Sequence, residues 1–141
     1  MSAEPDTDSR KLIEGFCSAF NRGDWSGMLE LVDEGVVHNP NQGEREVGRE
    51  RFQTFLQTRA RCYLEVLTEV RILVSKDGSH AAVEYVVSGQ YMSTDQGLPL
   101  ARGQRYRLAG GAFFEITDGR IKRLSQFCNL ADWVAQISRD S

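Results

Sequence analysis

Apolar residues recur at helical spacing along the first part of the chain. Leu12, Ile13, Phe16, Cys17 and Phe20 fall at the i, i+3/i+4 positions of one face, which predicts a helix from Asp8 or Ser9 onward. Asn21-Arg-Gly23 should end it through a residue that tolerates positive φ. Asp24 is then placed to cap a second helix whose inward face is Trp25, Met28, Leu29 and Val32. Gly35 closes that helix, and Val36-Val37-His38-Asn39 reads as a short strand stopped by Pro40, which offers no N–H to a ladder. After the turn at Asn41-Gln-Gly43, a third helix from about Gly48 to Arg61 should bury Phe52, Phe55 and Leu56. The same helix should expose Arg49, Glu50, Gln53 and Gln57.

The period then changes to two. Leu64, Val66, Val70, Ile72 and Val74 share one parity across a long strand, and Lys76-Asp-Gly-Ser79 turns it into a second strand from Ala81 to Tyr91. A third runs from Gln104 to Thr117, with Tyr106, Leu108, Ala112, Phe114 and Ile116 on the apolar side and Arg105, Arg107 and Glu115 opposite. Gly110-Gly111 in its middle predicts a bulge or sharp curvature. Thr117-Asp-Gly-Arg120 leads into a fourth strand, Ile121 to Leu130, and Leu130, Trp133, Val134 and Ile137 mark a short closing helix. Helices first and strands later is the order of an α+β domain.

Composition narrows the function classes. The chain has 141 residues and a formal net charge of -3, so one domain over residues 8–141 is expected, with residues 1–7 as a tail. Its size buries roughly two-thirds of the unfolded surface, enough for a core without staples. The acidic balance gives no footprint for phosphate backbones, so no nucleic-acid partner is expected. Cys17, Cys62 and Cys128 fit neither a disulfide framework nor a zinc knuckle. The acidic start is unlike a signal peptide, and no apolar run approaches the roughly 20 residues that cross a bilayer, so a cytoplasmic protein without membrane contact is expected. With only His38 and His80, no metal site is expected. The glycine pair lies within a strand and not at a strand-to-helix turn, so no phosphate cradle and no cofactor are expected either.

One ordered set of motifs carries a resemblance. Asn21-Arg-Gly-Asp-Trp25, Val37-His-Asn-Pro40, Asn41-Gln-Gly43, Arg45-Glu-Val-Gly48, Gly97-Leu-Pro99, Arg102-Gly103 and Gly110-Gly-Ala-Phe-Phe-Glu-Ile116 resemble the ketosteroid-isomerase-related, SnoaL-like group of the NTF2-like superfamily, over about Leu12 to Ile137. The resemblance implies an NTF2-like (cystatin-like) cone. Three helices would pack on a strongly curved mixed, mainly antiparallel sheet around a deep pocket, with a homodimer through the outer sheet face. True ketosteroid isomerases use an Asp base, a Tyr and a protonated Asp. Matched residue by residue, those positions hold Asn39, Phe16 and Ala112 here, so 3-oxo-steroid isomerisation is not implied.

What remains implied is a cofactor-free isomerase, cyclase or hydratase of a small hydrophobic carbonyl-type or polyketide-like molecule. The alternatives are a non-catalytic binding protein and a dimerisation module with a filled interior. The catalytic candidates are His38, Asn39 and Tyr106; Phe16, Trp25, Tyr85, Phe114 and Gln126 are candidates for lining the substrate. His38 is the neutral-pH base among them, although parity turns Asn39 toward the pocket and His38 away. Gln126 shares the face of Phe114 if the 117–120 turn has three residues and a bulge at Gly119, the favoured reading, and lies opposite if the turn has two. Glu84, Arg105, Arg107 and Arg123 fall on the outward face, and Cys17 and Cys128 read as buried fillers.

Overall fold

Helix α1 (Pro5–Arg22) is built on the stripe that the spacing predicts, with Ile13, Phe16, Cys17 and Ala19 buried. In the computed structural model, which describes residues 4–41 and 43–139, the helix opens at Pro5, so residues 5–7 of the expected tail are its first turn. Proline suits that turn because the N–H it lacks would have no partner there. Residues 1–3 of the expected tail lie outside the described residues. Gly23 ends α1 at φ 68°, and the Asp24 carboxylate accepts the Gly27 N–H at 2.9 Å to cap α2 (Trp25–Glu30).

Helix α2 is shorter than the apolar spacing suggests, because Val32 already belongs to strand β1 (Val32–Asn39). The run from Val32 is richer in β-branched residues and glycine than a helix favours. Its pairing partner, moreover, comes from the far end of the chain. Then follow β2 (Glu46–Val47), α3 (Arg49–Cys62), β3 (Tyr63–Val74), β4 (His80–Tyr91), β5 (Gln104–Thr117), β6 (Arg120–Cys128) and α4 (Leu130–Ser138). The six strands lie in the order β2-β1-β6-β5-β4-β3, antiparallel throughout except for β1 beside β6, so the sheet is mixed and open. Helix α1 packs along β3 at one side of the sheet, α2 and α3 lie over β1 at the other, and α4 closes against β5.

Three sequence expectations change at irregularities that hydropathy does not announce. In β3 the ladder shifts between Thr68 and Arg71, where Glu69 adopts φ 51°. A bulge exchanges the faces of a strand. Leu64, Val66 and Val70 are therefore exposed on the outer face, while Ile72 and Val74 turn inward with Tyr63, Glu65 and Leu67. Gly110-Gly111 makes no bulge, since β4 and β5 pair without interruption from His80↔Glu115 to Tyr91↔Gln104. The turn after β5 has two residues, Asp118 at φ 52° and Gly119 at φ 73°, with Thr117 opposite Arg120. The extra residue sits one step later, at Lys122, between the pairs Ile116↔Ile121 and Glu115↔Arg123.

The glycines of the central strands serve the tyrosines beside them. Tyr106 stands opposite Gly89 and Tyr85 opposite Gly110. A Cβ on Gly89 would come within 2.2 Å of the Tyr106 ring, and one on Gly110 within 2.9 Å of Tyr85. Each ring thus lies across the strand next to its own, filling the space that glycine leaves. The free edge of β3 is covered by α1: the Asn21 amide donates to the Leu67 carbonyl at 3.0 Å and accepts the Leu67 N–H at 2.7 Å. That reciprocal pair blunts an edge that would otherwise invite another strand.

Candidate functional site

Between the inner face of the sheet and helices α1, α3 and α4 lies a cavity of about 190 Å³. It exceeds the roughly 150 Å³ that accommodates a benzene ring in an apolar core, and falls short of the roughly 300 Å³ at which drug-sized sites begin. Most of its wall is apolar, from Phe16, Phe20, Met28, Phe52, Phe55 and Leu56 on the helices to Val83, Leu108 and Phe114 on the strands. Polar groups enter at two places.

One is a charged cluster. Phe52, Phe55 and Leu56 form the inward stripe of α3, and Arg59 extends it by one more turn into the cavity wall. There Arg59 Nη2 lies 2.9 Å from both oxygens of Glu65, which β3 points inward ahead of its bulge. The Tyr106 hydroxyl donates to the same carboxylate. The Arg59 guanidinium also sits 4.0 Å above the Tyr63 ring, whose hydroxyl donates to Asp95 at 2.7 Å. A carboxylate in so apolar a wall needs such partners, because burying it alone is prohibitive.

Burial alone would push the Arg59 guanidinium down, but the Glu65 carboxylate outweighs it and holds the group above its usual range. Burial and then Glu65 raise the Tyr106 phenol far up, and burial with the Asp95 hydrogen bond does the same for Tyr63. Both remain proton donors at neutral pH. Phe20, Arg59, Glu65 and Tyr106 also line a wider outer groove of about 930 Å³, so the cluster stands between the cavity and the outside.

The second polar region comes from β1 and β6. His38 is 1% exposed, edge-on to Phe55 at 4.5 Å and Phe52 at 5.1 Å, and its Nε2 lies 2.7 Å from Gln126 Oε1. Burial pushes the imidazole below its ordinary value, partly offset by the hydrogen bond to Gln126 and the charge of Glu46. Gln126 faces the cavity, beside Cys128 and Asn41. The Asn41 side chain accepts the Cys128 N–H and donates to its Sγ, both at 3.1 Å, which ties the loop after β1 to the end of β6. Burial raises the Cys128 thiol against the opposing charge of Arg59.

The sequence candidates are divided by this geometry. Phe16, Tyr85, Tyr106, Phe114 and Gln126 all line the cavity. Tyr85 donates weakly to the Gly111 carbonyl at 3.4 Å, and burial pushes its phenol up to about 12. Gln126 shares the face of Phe114 because of the bulge at Lys122, not the one expected in the turn. His38 and Asn39 exchange places relative to the parity expectation. Val36 and His38 alternate onto the buried side of β1, and His38 stands beside Leu124 of β6. Asn39 turns the other way, donating to Ser125 Oγ at 3.0 Å and accepting from Arg45 at 3.0 Å. Trp25 packs edge-on against Phe20 and lines the outer groove, not the cavity; Trp133 of α4 lines the cavity.

Residues 13–124 match the family model described as the SnoaL-like domain. The chain belongs to this family. The SnoaL-like chain is 44% identical to a proposed polyketide cyclase from Xanthomonas campestris pv. campestris, with TM-score 0.93 over 95% of this chain and 99% of that one. A proposed polyketide cyclase from Pseudomonas putida KT2440 is 45% identical, with TM-score 0.91 over 92% and 98%. An LEH-like epoxide hydrolase of M. tuberculosis shares the NTF2-like fold at 17% identity, TM-score 0.78 over 98% and 90%. No curated protein matches the sequence.

Neither Arg59 nor Glu65 is among the sequence candidates. A signal was available for one: Arg59 follows Phe52, Phe55 and Leu56 at helical spacing, a charge on an apolar stripe. Glu65 was concealed by the bulge, which makes the even positions of β3 look like the buried set. Among the described residues, no three His, Cys, Asp or Glu side chains are placed to hold a metal ion, and no helix is long and apolar enough to cross a membrane.

Proposed function

We propose that this SnoaL-like protein is an acid–base enzyme of isomerase, cyclase or hydratase type acting on a small hydrophobic carbonyl compound, with Glu65 as the proton-handling group. The observation that carries this reading is a carboxylate in the wall of an apolar cavity, held by Arg59 and hydrogen-bonded to Tyr106. Glu65 takes a proton from the carbon beside the carbonyl, and the C–H electron pair moves into an enolate. Returned to a different carbon, the proton completes an isomerisation. If the enolate carbon instead attacks a second carbonyl of the same molecule, a C–C bond forms and the new alkoxide takes the proton back. Tyr106 supports the carboxylate and supplies a phenolic proton donor at the same spot. A cavity of about 190 Å³ selects a body of one or two rings.

Phe16 and Ala112, where the resemblance places the isomerase Tyr and protonated Asp, lie in the cavity wall without polar groups. Asn39, at the position of the isomerase base, faces Ser125 and Arg45. The proton-handling groups of this chain are thus different residues on different strands. The decisive experiment incubates 1-tetralone with the protein in D₂O and follows deuterium uptake beside the carbonyl by NMR. Uptake above the buffer rate, lost in Glu65→Gln, is expected. No uptake with the wild type would favour the second reading, a binding protein, for which the full engagement of Glu65 by Arg59 and Tyr106 speaks.

The reading includes a homodimer. Leu73, Phe113 and Phe127 are 66%, 57% and 55% exposed on the outer sheet face, where Leu73 and Phe113 both pair with Ala82, and Phe113 meets Phe127 edge-on at 5.7 Å. Glu115 pairs with Arg123 at 3.2 Å two residues along from Phe113, so charges of both signs flank the apolar patch. Such a surface is self-complementary across a two-fold axis. Sedimentation should show a dimer that Phe113→Lys dissociates.

A further inference from the structure

We propose that the Gln126 amide N–H₂ is the group that recognises a ligand's carbonyl oxygen in this cavity, and that His38 is the positioning residue that fixes its direction. The inference rests on the acid–base reading and deepens it: Glu65 handles the proton, and Gln126 holds the oxygen on which the enolate charge develops.

His38 Nε2 and Gln126 Oε1 are 2.7 Å apart. A neutral imidazole carries one proton, and two arrangements satisfy this contact. Either Nε2–H donates to the amide oxygen, or Nε2 accepts from an amide turned end for end while Nδ1 carries the proton. His38 Nδ1 is buried and has no hydrogen-bond partner among the described residues. The second arrangement would orphan a buried N–H, whereas the first leaves only a lone pair there. Orphaned buried donors are the rarer and costlier defect. The imidazolium form would orphan the same N–H and bury a charge besides. The proton therefore sits on Nε2, and the amide oxygen of Gln126 faces His38.

It follows that the amide nitrogen points away from His38. Gln126 lines the cavity, and its Nε2 makes no hydrogen bond among the described residues. Two N–H groups are thus presented to an apolar space, a donor site for an acceptor oxygen. His38 cannot swing aside, being 1% exposed and wedged against Phe52 and Phe55. A fixed amide also spares the ligand the cost of ordering a long, flexible side chain. Had the amide been free to turn, it would serve alcohols and ketones alike. Held this way, it favours a ketone or ester oxygen over a hydroxyl donor.

The test compares three ligands of one shape, 1-tetralone, 1-tetralol and tetralin, by calorimetric titration of the full chain. The wild type should bind the ketone about tenfold more tightly than the hydrocarbon, the net worth of one good hydrogen bond. It should also prefer the ketone to the alcohol. The C=O stretch of bound 1-tetralone should shift to lower frequency than in hexane. Gln126→Met, close in shape, should abolish both the preference and the shift while tetralin still binds. His38→Phe keeps the packing but frees the amide, so its mark is a lost ketone-over-alcohol preference with hydrocarbon affinity retained, which a merely structural role would not produce. Glu65→Gln should stop deuterium uptake yet leave the ketone preference intact, so a failure of the acid–base reading is distinguishable from a failure of this one. Equal affinity for ketone and hydrocarbon in the wild type, an unshifted C=O stretch, or no binding of any of the three would each overturn the proposal.

Discussion

The two polar ends of the cavity solve the same problem by opposite means. At one end Arg59 and Glu65 bring full charges into an apolar wall, each compensated by the other, and the neutral Tyr106 hydroxyl donates to the carboxylate. At the other, His38 and Gln126 are neutral, and burial keeps the imidazole so. A charged end can move a proton but is unstable if any member is lost. A neutral end can only orient and donate, yet it tolerates isolation. The comparison predicts that substitutions at the charged end should be felt across the whole fold, and those at the neutral end mainly in what binds.

The largest effect is expected at Arg59. Arg59→Leu leaves the Glu65 side chain, only 11% exposed, without its counter-charge. Breaking a buried pair in this way costs about 3–5 kcal/mol, whereas replacing both partners by apolar residues is often neutral. Urea unfolding should show a loss of that order for Arg59→Leu and substantial recovery in Arg59→Leu/Glu65→Leu. A loss below about 1 kcal/mol would mean that the pair behaves as a solvated surface bridge, and the contrast between the two ends would collapse.

Next in size is Gly89→Ala. The added methyl would lie 2.2 Å from the Tyr106 ring, which is tethered to Glu65 and cannot yield without breaking that bond. Overpacking of this kind costs about 1–3 kcal/mol. Unfolding midpoints should fall accordingly, and deuterium uptake by a ketone should fall with them.

How much of this was legible beforehand follows from where the chain obeys a simple period. Helix α1 and strand β5 follow theirs without interruption, and their buried residues Ile13, Phe16, Cys17, Leu108, Ala112 and Phe114 could be read directly from the spacing. The antiparallel hairpins and the α+β order were legible for the same reason. Strand β3 was not, because the bulge at Glu69 exchanges its faces and no hydropathy pattern marks a bulge at a glutamate. The facing of β1 is not legible either, because its inner face is fixed by parallel pairing with β6, more than eighty residues away, a contact that local sequence does not encode. The neutral end is partly legible, since Gln126 is a sequence candidate for lining the cavity. The charged end is half hidden, since Tyr106 is a sequence candidate and its partners Arg59 and Glu65 are not.

The neutral end should show itself in pH dependence. The folded-state pKa of His38 lies below its ordinary value of 6.5, so the unfolded chain binds the proton more readily. Stability from this group is therefore full above about pH 6.5 and is lost as pH falls toward the folded value. The slope is at most about 1.4 kcal/mol per pH unit. Denaturant midpoints measured between pH 7.5 and about 5.5 should decline in the wild type and stay flatter in His38→Phe. An identical decline in both would show that the imidazole titrates freely, which a ring wedged between Phe52 and Phe55 should not do.

The smallest effect belongs to the residue that family resemblance would put first. Asn39 occupies the isomerase base position, but its amide reaches Ser125 and Arg45 on the side of β1 away from the cavity. Asn39→Ala removes two partly exposed hydrogen bonds and should cost about 0.5–1.5 kcal/mol in stability. Neither ligand preference nor deuterium uptake should change beyond twofold, about 0.4 kcal/mol at room temperature. A tenfold loss of uptake in Asn39→Ala would instead return the chemistry to β1 and remove Glu65 from its role. Small as the expected change is, it discriminates between a proton carrier inherited in position and one rebuilt on β3, because only in the second case is the amide at Asn39 a bystander.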